Sequence, residues 1–249
     1  MFPILRLGPF AIQTAGLILI LGVWVGLWLA EREAARLKFH NEFVYNLAFT
    51  GLVAGLIGAR LWYVLQHLQV YVLDPLAIFS PTPATLARTE GVAIGLMAAA
   101  LYGVRHKLPL RLTLDALAPA MVVTMIASAL ANLASGDAFG APAQLPWSLY
   151  LWGEYRHPSQ VYEMIAALGV LRGWAWWRRQ ERWRPAPGIS FLWVAASLAA
   201  ARVFLEAFRS DSVIVGEGWR AAQVGSLFLL TTSLALSKFW SRSPTSSDI

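Results

Sequence analysis

The chain has 249 residues, 57% of them hydrophobic and only 14% charged, with 20 Lys and Arg against 14 Asp and Glu. A soluble domain carries roughly a quarter charged residues, so the composition indicates an all-α integral membrane protein. Most basic residues flank apolar runs, which suits anionic lipid head groups better than nucleic acid. The absence of cysteine excludes disulfides, thiolate metal sites and a cysteine nucleophile on the protein itself.

Seven transmembrane helices are expected, near 11–30, 43–66, 90–104, 113–134, 159–177, 186–206 and 219–237. Each run approaches the roughly 20 residues that cross a hydrocarbon core as a helix. The first follows one early basic residue, Arg6, with no small-residue cleavage site after it, and reads as a retained helix. Residues 67–86 carry Asp74-Pro75 and Pro81-Thr82-Pro83. They read as an interfacial excursion, because proline removes a donor and clashes with the preceding turn. A polar loop is expected near 135–158, and with no internal repeat or low-complexity linker, residues 1–249 read as one membrane domain.

The basic residues set an orientation. Arg32, Arg36 and Lys38 follow span one; Arg105, Lys107 and Arg111 follow span three; Arg178, Arg179, Arg182 and Arg184 follow span five; Lys238 and Arg242 follow span seven. Seven spans put all four groups on one side, which the positive-inside rule makes cytoplasmic. The N-terminus is then outside and the C-terminus cytoplasmic. The outer face collects Arg60, Glu90, Asn132 to Asp137, Arg156 to Glu163, and Arg202, Glu206 and Arg209. Polar groups from five segments at one membrane face are what a head-group site requires.

Arg60 follows Gly51, Gly55 and Gly58, which suit close helix packing. Its guanidinium either snorkels to the interface or meets a phosphate. His157 precedes Pro158, a residue that suits a first helical turn. An imidazole there serves either as a base or as an interfacial hydrogen-bonding group. Ser159 and Glu163 are four residues apart, and the serine is also a helix-capping candidate. Arg202, Glu206 and Arg209, spaced by four and three, are expected along one helical face. There the two guanidiniums either grip a phosphodiester or form a structural ion pair. His40, His67, His106 and His157 have no metal-ligand pattern, so neither metal nor cofactor is expected. Trp174, Trp176 and Trp177 fit an aromatic belt.

Several of these segments, in this order, resemble the bacterial prolipoprotein diacylglyceryl transferases. Arg156-His157-Pro158-Ser159-Gln160-Val161-Tyr162-Glu163 is similar nearly letter for letter to that family's Arg-His-Pro-Ser-Gln-x-Tyr-Glu. Gly8-Pro9, Gly58 to Leu65, Asp115 with Ala118-Pro119, Arg202 with Glu206 and Arg209, and Gln223 also fit. The resemblance implies transfer of a diacylglyceryl group from phosphatidylglycerol to the lipobox cysteine of a preprolipoprotein, at the outer face of the bacterial cytoplasmic membrane. It implies Arg60, Asn132, Arg202 and Arg209 on the phospholipid. Asp137, Gly140, Arg156, His157, Ser159, Gln160 and Glu163 would support them. Three positions depart from the family: Ala15 stands for a tyrosine, Ala129 for an arginine, and Glu90 for a histidine. Glu90 is then the expected base beside Arg202 and Glu206, although a carboxylate matches a thiol poorly unless apolar surroundings raise its pKa. The alternative is a catalytically degenerate relative that binds anionic phospholipid without transfer.

Overall fold

The computed structural model describes residues 4–7, 10–38, 41–79, 85–180, 185–216 and 218–242. Gly8-Pro9, His40, Pro81-Thr82-Pro83, Arg182 and Arg184 lie outside them. Each expected span finds a long helix: α1 (Thr14–Arg36), α2 (Asn41–Gln66), α4 (Arg88–Arg105), α5 (Leu110–Ser135), α6 (Ser159–Trp177), α7 (Ile189–Leu205) and α8 (Ala221–Arg242). A short helix α3 (Leu68–Leu73) and a 3-10 turn (Pro75–Phe79) lie between α2 and α4. Three two-stranded antiparallel hairpins complete the described structure. They are β1–β2 (Ile4–Leu7, Phe10–Gln13), β3–β4 (Leu149–Leu151, Glu154–Arg156) and β5–β6 (Ile214–Val215, Trp219–Arg220).

By length and composition, four stretches are long and apolar enough to cross a membrane: Thr14–Arg36, Glu42–Gln66, Leu110–Ser135 and Ile189–Phe208. The other three helices carry polar residues within them, such as Glu90 in α4, Glu163 and Arg172 in α6, and Thr231 to Ser233 in α8. Large apolar side chains stand on the outside of the bundle, among them Leu56, Leu96 and Phe228, as expected where the surrounding medium is hydrocarbon.

Helix α5 is the hub, packing on α1, α6 and α7. Ala118, Val122, Ala167, Trp174 and Val194 form one buried cluster; Ala30, Ala34, Val44 and Ala116 form another. Small residues at these contacts bring helices together where hydrophobic exclusion gives little drive. Helices α2 and α4 also pack closely through glycines. A Cβ on Gly55 would lie 2.9 Å from the Gly91 carbonyl oxygen, and one on Gly91 would lie 2.8 Å from that of Gly55.

Three expectations need correction. The first span does not begin at residue 11: residues 10–13 belong to β2, and α1 continues to Arg36. That extension across Glu31, Arg32 and Glu33 is held by ion pairs on the buried Glu33 carboxylate. Glu33 accepts hydrogen bonds from Arg36 and, at 2.6 Å, from Arg178 Nη1 at the end of α6. Trp174 is not a belt residue. It is 3% exposed, donates Nε1–H to Ser190 Oγ at 3.0 Å, and lies under the Arg178 guanidinium. Ser159 is not the helix cap. It is the first residue of α6, and its hydroxyl donates to the Ala138 carbonyl at 2.7 Å.

Contacts between helix ends sort the molecule into two faces. One gathers the end of α1 with the end of α6 through Glu33 and Arg178. On that face Asp115 near the start of α5 accepts the backbone N–H groups of Gly188 and Phe191, at 2.6 and 2.9 Å, so it caps α7. Arg111 lies over the ring of Trp240 at the end of α8. The opposite face gathers the end of α5, the start of α6, the end of α7 and the start of α8.

Candidate functional site

On that opposite face, two arginines converge on one carboxylate. Arg202 Nη1 donates to Glu163 Oε1 at 2.6 Å, and Arg209 Nη1 donates to the same oxygen at 2.8 Å. They do not share a helical face, which corrects the expectation from their spacing. Helix α7 ends at Leu205, Glu206–Phe208 form a 3-10 turn, and Arg209 is extended. The chain therefore swings Arg209 round to meet Glu163 from a second direction.

Glu206 lies beneath this pair, 1% exposed, with Oε2 2.9 Å from Arg202 Nε and Oε1 accepting the Ser212 hydroxyl at 2.6 Å. Oε2 accepts no hydrogen bond among the described residues, so the attraction there is between charges. Arg209 also grips Asp211 in a two-pronged pair, Nε to Oδ1 at 2.9 Å and Nη2 to Oδ2 at 2.6 Å. Burial works against the charge on Arg209, but hydrogen bonds and charges from Asp211 and Glu163 outweigh it and hold its pKa above the ordinary arginine value. Arg220 closes the turn from β6, donating to the Glu206 and Arg209 carbonyls.

The Arg156–Glu163 motif builds the wall beside the arginines. A strand-like run at residues 139–142 is clasped between two segments: Gly140 bridges Arg209, and Pro142 bridges Arg156. His157 N–H donates to the Ala141 carbonyl, and Ala141 N–H donates to the Phe208 carbonyl. The fit leaves no room at Gly140, where a Cβ would lie 2.3 Å from the His157 carbonyl oxygen. Gln160, fully buried, donates to the Asp137 carbonyl at 2.7 Å. Its Oε1, like Arg156 Nε, is buried with no hydrogen-bond partner among the described residues. Arg156 otherwise reaches Glu154 and lies over the Phe139 ring. His157 Nδ1 is 3.3 Å from the Tyr162 hydroxyl, which accepts the Trp147 indole N–H at 2.8 Å.

Asn132 lies in the last turn of α5 and is half-buried; Asp137 is exposed beyond it and accepts the Ser135 hydroxyl at 2.8 Å. Ala129 is buried, one turn before Asn132, and Ala15 is half-buried in the first turn of α1. Arg60 has a different environment. Its Nε donates to the Ile78 carbonyl at 2.8 Å, Nη2 to that of Ala77 at 2.5 Å, and Nη1 to that of Thr85 at 3.0 Å. It thus ties the segment after α3 to the end of α2. Glu90, half-buried in the first turn of α4, has neither a hydrogen bond nor an ion pair among the described residues. It is not bonded to Glu163, Arg202 or Arg209.

Sequence reasoning missed Glu163 as the shared acceptor, crediting Glu206 with that place. It also missed Asp211 and Ser212, for which the polar run after the late arginine was the available signal, and Arg220, eleven residues on.

A family model described as prolipoprotein diacylglyceryl transferase matches residues 3–239. A phosphatidylglycerol–prolipoprotein diacylglyceryl transferase from Thermosynechococcus vestitus is 28% identical, over 90% of this chain and 86% of its own. One from Geobacillus kaustophilus is 29% identical, over 93% of this chain and 89% of its own. One from Corynebacterium glutamicum is 27% identical, over 86% of this chain and 74% of its own.

Proposed function

The chain belongs to the prolipoprotein diacylglyceryl transferase family, and from that membership we propose that it moves the diacylglyceryl group of phosphatidylglycerol onto the cysteine thiol of a preprolipoprotein. The observation that carries this reading is the meeting of Arg202 and Arg209 on Glu163. Arg202 is the more open of the two, 26% exposed against 10%. Its Nη2 is the terminal nitrogen that neither Glu163 nor Glu206 engages. A phosphodiester oxygen placed there is held by a charge that stays on at any working pH.

The step is a displacement at carbon. The lipobox sulfur forms a bond to the terminal glycerol carbon of the diacylglyceryl group, and the bond from that carbon to the phosphate oxygen breaks. The electron pair leaves with glycerol phosphate, and the thiol proton passes to a base. A thiol has a pKa of about 8.5 and attacks as thiolate, so both the base and a cation on the leaving group are needed. Arg202 supplies the cation, with Arg209 behind it. Glu163 holds the two guanidiniums together, and Glu206 positions Arg202 from below. Asn132 and Asp137 line the approach, with Gly140, Arg156, His157, Ser159 and Gln160 as the supporting wall. Glu90 is the base in this reading. Arg60 acts on the phospholipid indirectly, by fixing the segment after α3.

The setting is the bacterial cytoplasmic membrane, with seven crossings, the N-terminus outside, the C-terminus cytoplasmic and the arginine site toward the outer face. The chain acts as one membrane domain, with the segment near 67–86 at the interface and the loop near 135–158 over the site. Basic residues at the opposite helix ends support that orientation. The test is Glu90→Gln beside Arg202→Ala in a transfer assay with phosphatidylglycerol and a lipobox peptide. Loss in both supports the assignment; a fully active Glu90→Gln protein removes Glu90 as base and leaves the phosphate site standing.

A further inference from the structure

We propose that the surface of α6, at the membrane face opposite the arginine site, binds the phosphate of a second anionic phospholipid between Arg172 and Arg179.

Gly169, Arg172, Gly173, Ala175, Trp176 and Arg179 line an open depression of about 530 Å³, within the size range of small-ligand sites. Residues 169, 172, 176 and 179 recur at helical spacing, so the two arginines flank Trp176 on one side of α6. Arg172 is exposed and lies five residues before the end of α6 at Trp177, about 7.5 Å along the axis. That depth puts a permanent charge inside the apolar surface, where it needs an anion or a route to water. Among the described residues, neither Arg172 nor Arg179 has a hydrogen bond or ion pair. Their neighbour Arg178 is different: Glu33 takes its charge and Trp174 its face.

Among the described residues no side chain compensates the positive charge of this groove, and that charge is complementary to a phosphate. The two side chains start about 10 Å apart along the helix and can close on one phosphate above Gly173. Exposed Trp176 offers an apolar flank for the glycerol region. Basic pockets beside transmembrane helices hold anionic head groups in this way. The occupant is a lipid rather than a soluble anion, because the groove opens along the side of a helix where acyl chains lie.

Native mass spectrometry of the full chain tests this, in an Arg202→Ala background that weakens the other phosphate site. Phosphatidylglycerol is titrated against phosphatidylcholine and against soluble glycerol phosphate. The anionic lipid should be retained in preference to both. The added pair Arg172→Gln and Arg179→Gln should weaken its binding roughly tenfold or more, whereas the Lys pair should keep most of it. Unchanged retention in the Gln pair, or equal binding of glycerol phosphate, overturns the proposal. Should the Gln pair fail to fold, Arg179→Gln alone, beyond the helix end, gives the same comparison, and unchanged retention overturns it equally.

Discussion

The behaviour of the site turns on one oxygen. Glu163 Oε1 accepts from both Arg202 and Arg209, so removing its charge leaves two guanidiniums facing each other at partial burial. Glu163→Gln is expected to cut transfer by a factor on the order of a hundred while phosphatidylglycerol binding falls less, because placement of the cations suffers more than their charge. A titration of rate against lipid concentration separates the two effects. Gly140→Ala acts differently. Its Cβ would meet the His157 backbone at 2.3 Å, so the run from 139 to 142 must shift at a cost of about 1–3 kcal/mol. A lowered thermal midpoint in detergent would register that; an unchanged midpoint would mean the clasp is looser than its geometry. The residues of the Arg156–Glu163 motif were legible because so dense a polar cluster between apolar runs is expensive without partners. Which arginines Glu163 would meet was not legible, because its partners lie 39 and 46 residues away.

Between elements, the helix positions follow from apolar runs and the ends do not. α6 begins and stops at the expected residues, whereas α1 outruns its apolar stretch because Glu33 finds Arg178 across 145 residues. No local signal separates that buried glutamate from its neighbours Glu31 and Arg32. The hairpins were invisible for a related reason: strands of two to four residues carry too few alternations to show a period. Arg209 was misplaced because helical spacing was extended past Leu205, where the chain tightens into a 3-10 turn. The Asp115 carboxylate accepts two backbone N–H groups at the start of α7, as a capping side chain does. Asp115→Ala should destabilise the fold by about 1–2 kcal/mol, read as earlier thermal unfolding, with no direct effect on the far arginines. An equal or higher midpoint would remove its capping role.

For the whole molecule, the two ends of the bundle have different chemistry. One face carries the arginine–carboxylate site and the clasped loop; the other carries Glu33 with its arginines and the capped start of α7. Because the chain has no cysteine, single cysteines report topology without background. A cysteine at Trp152, in the turn of the exposed β3–β4 hairpin, should label with a membrane-impermeant maleimide in intact cells. One at Ser241, exposed in the last turn of α8, should label only after permeabilisation. The reverse pattern would invert the proposed orientation.

The proposed transfer of diacylglyceryl runs through the arginine site. Its most direct test is purified protein with phosphatidylglycerol and a lipobox peptide, scored by mass for thioether-linked diacylglycerol. Product is expected from the unaltered protein, with a loss of about a hundredfold to a thousandfold in Arg202→Ala. No product from the unaltered protein, beside a working relative under the same conditions, would contradict it and leave a protein that binds anionic phospholipid without transfer.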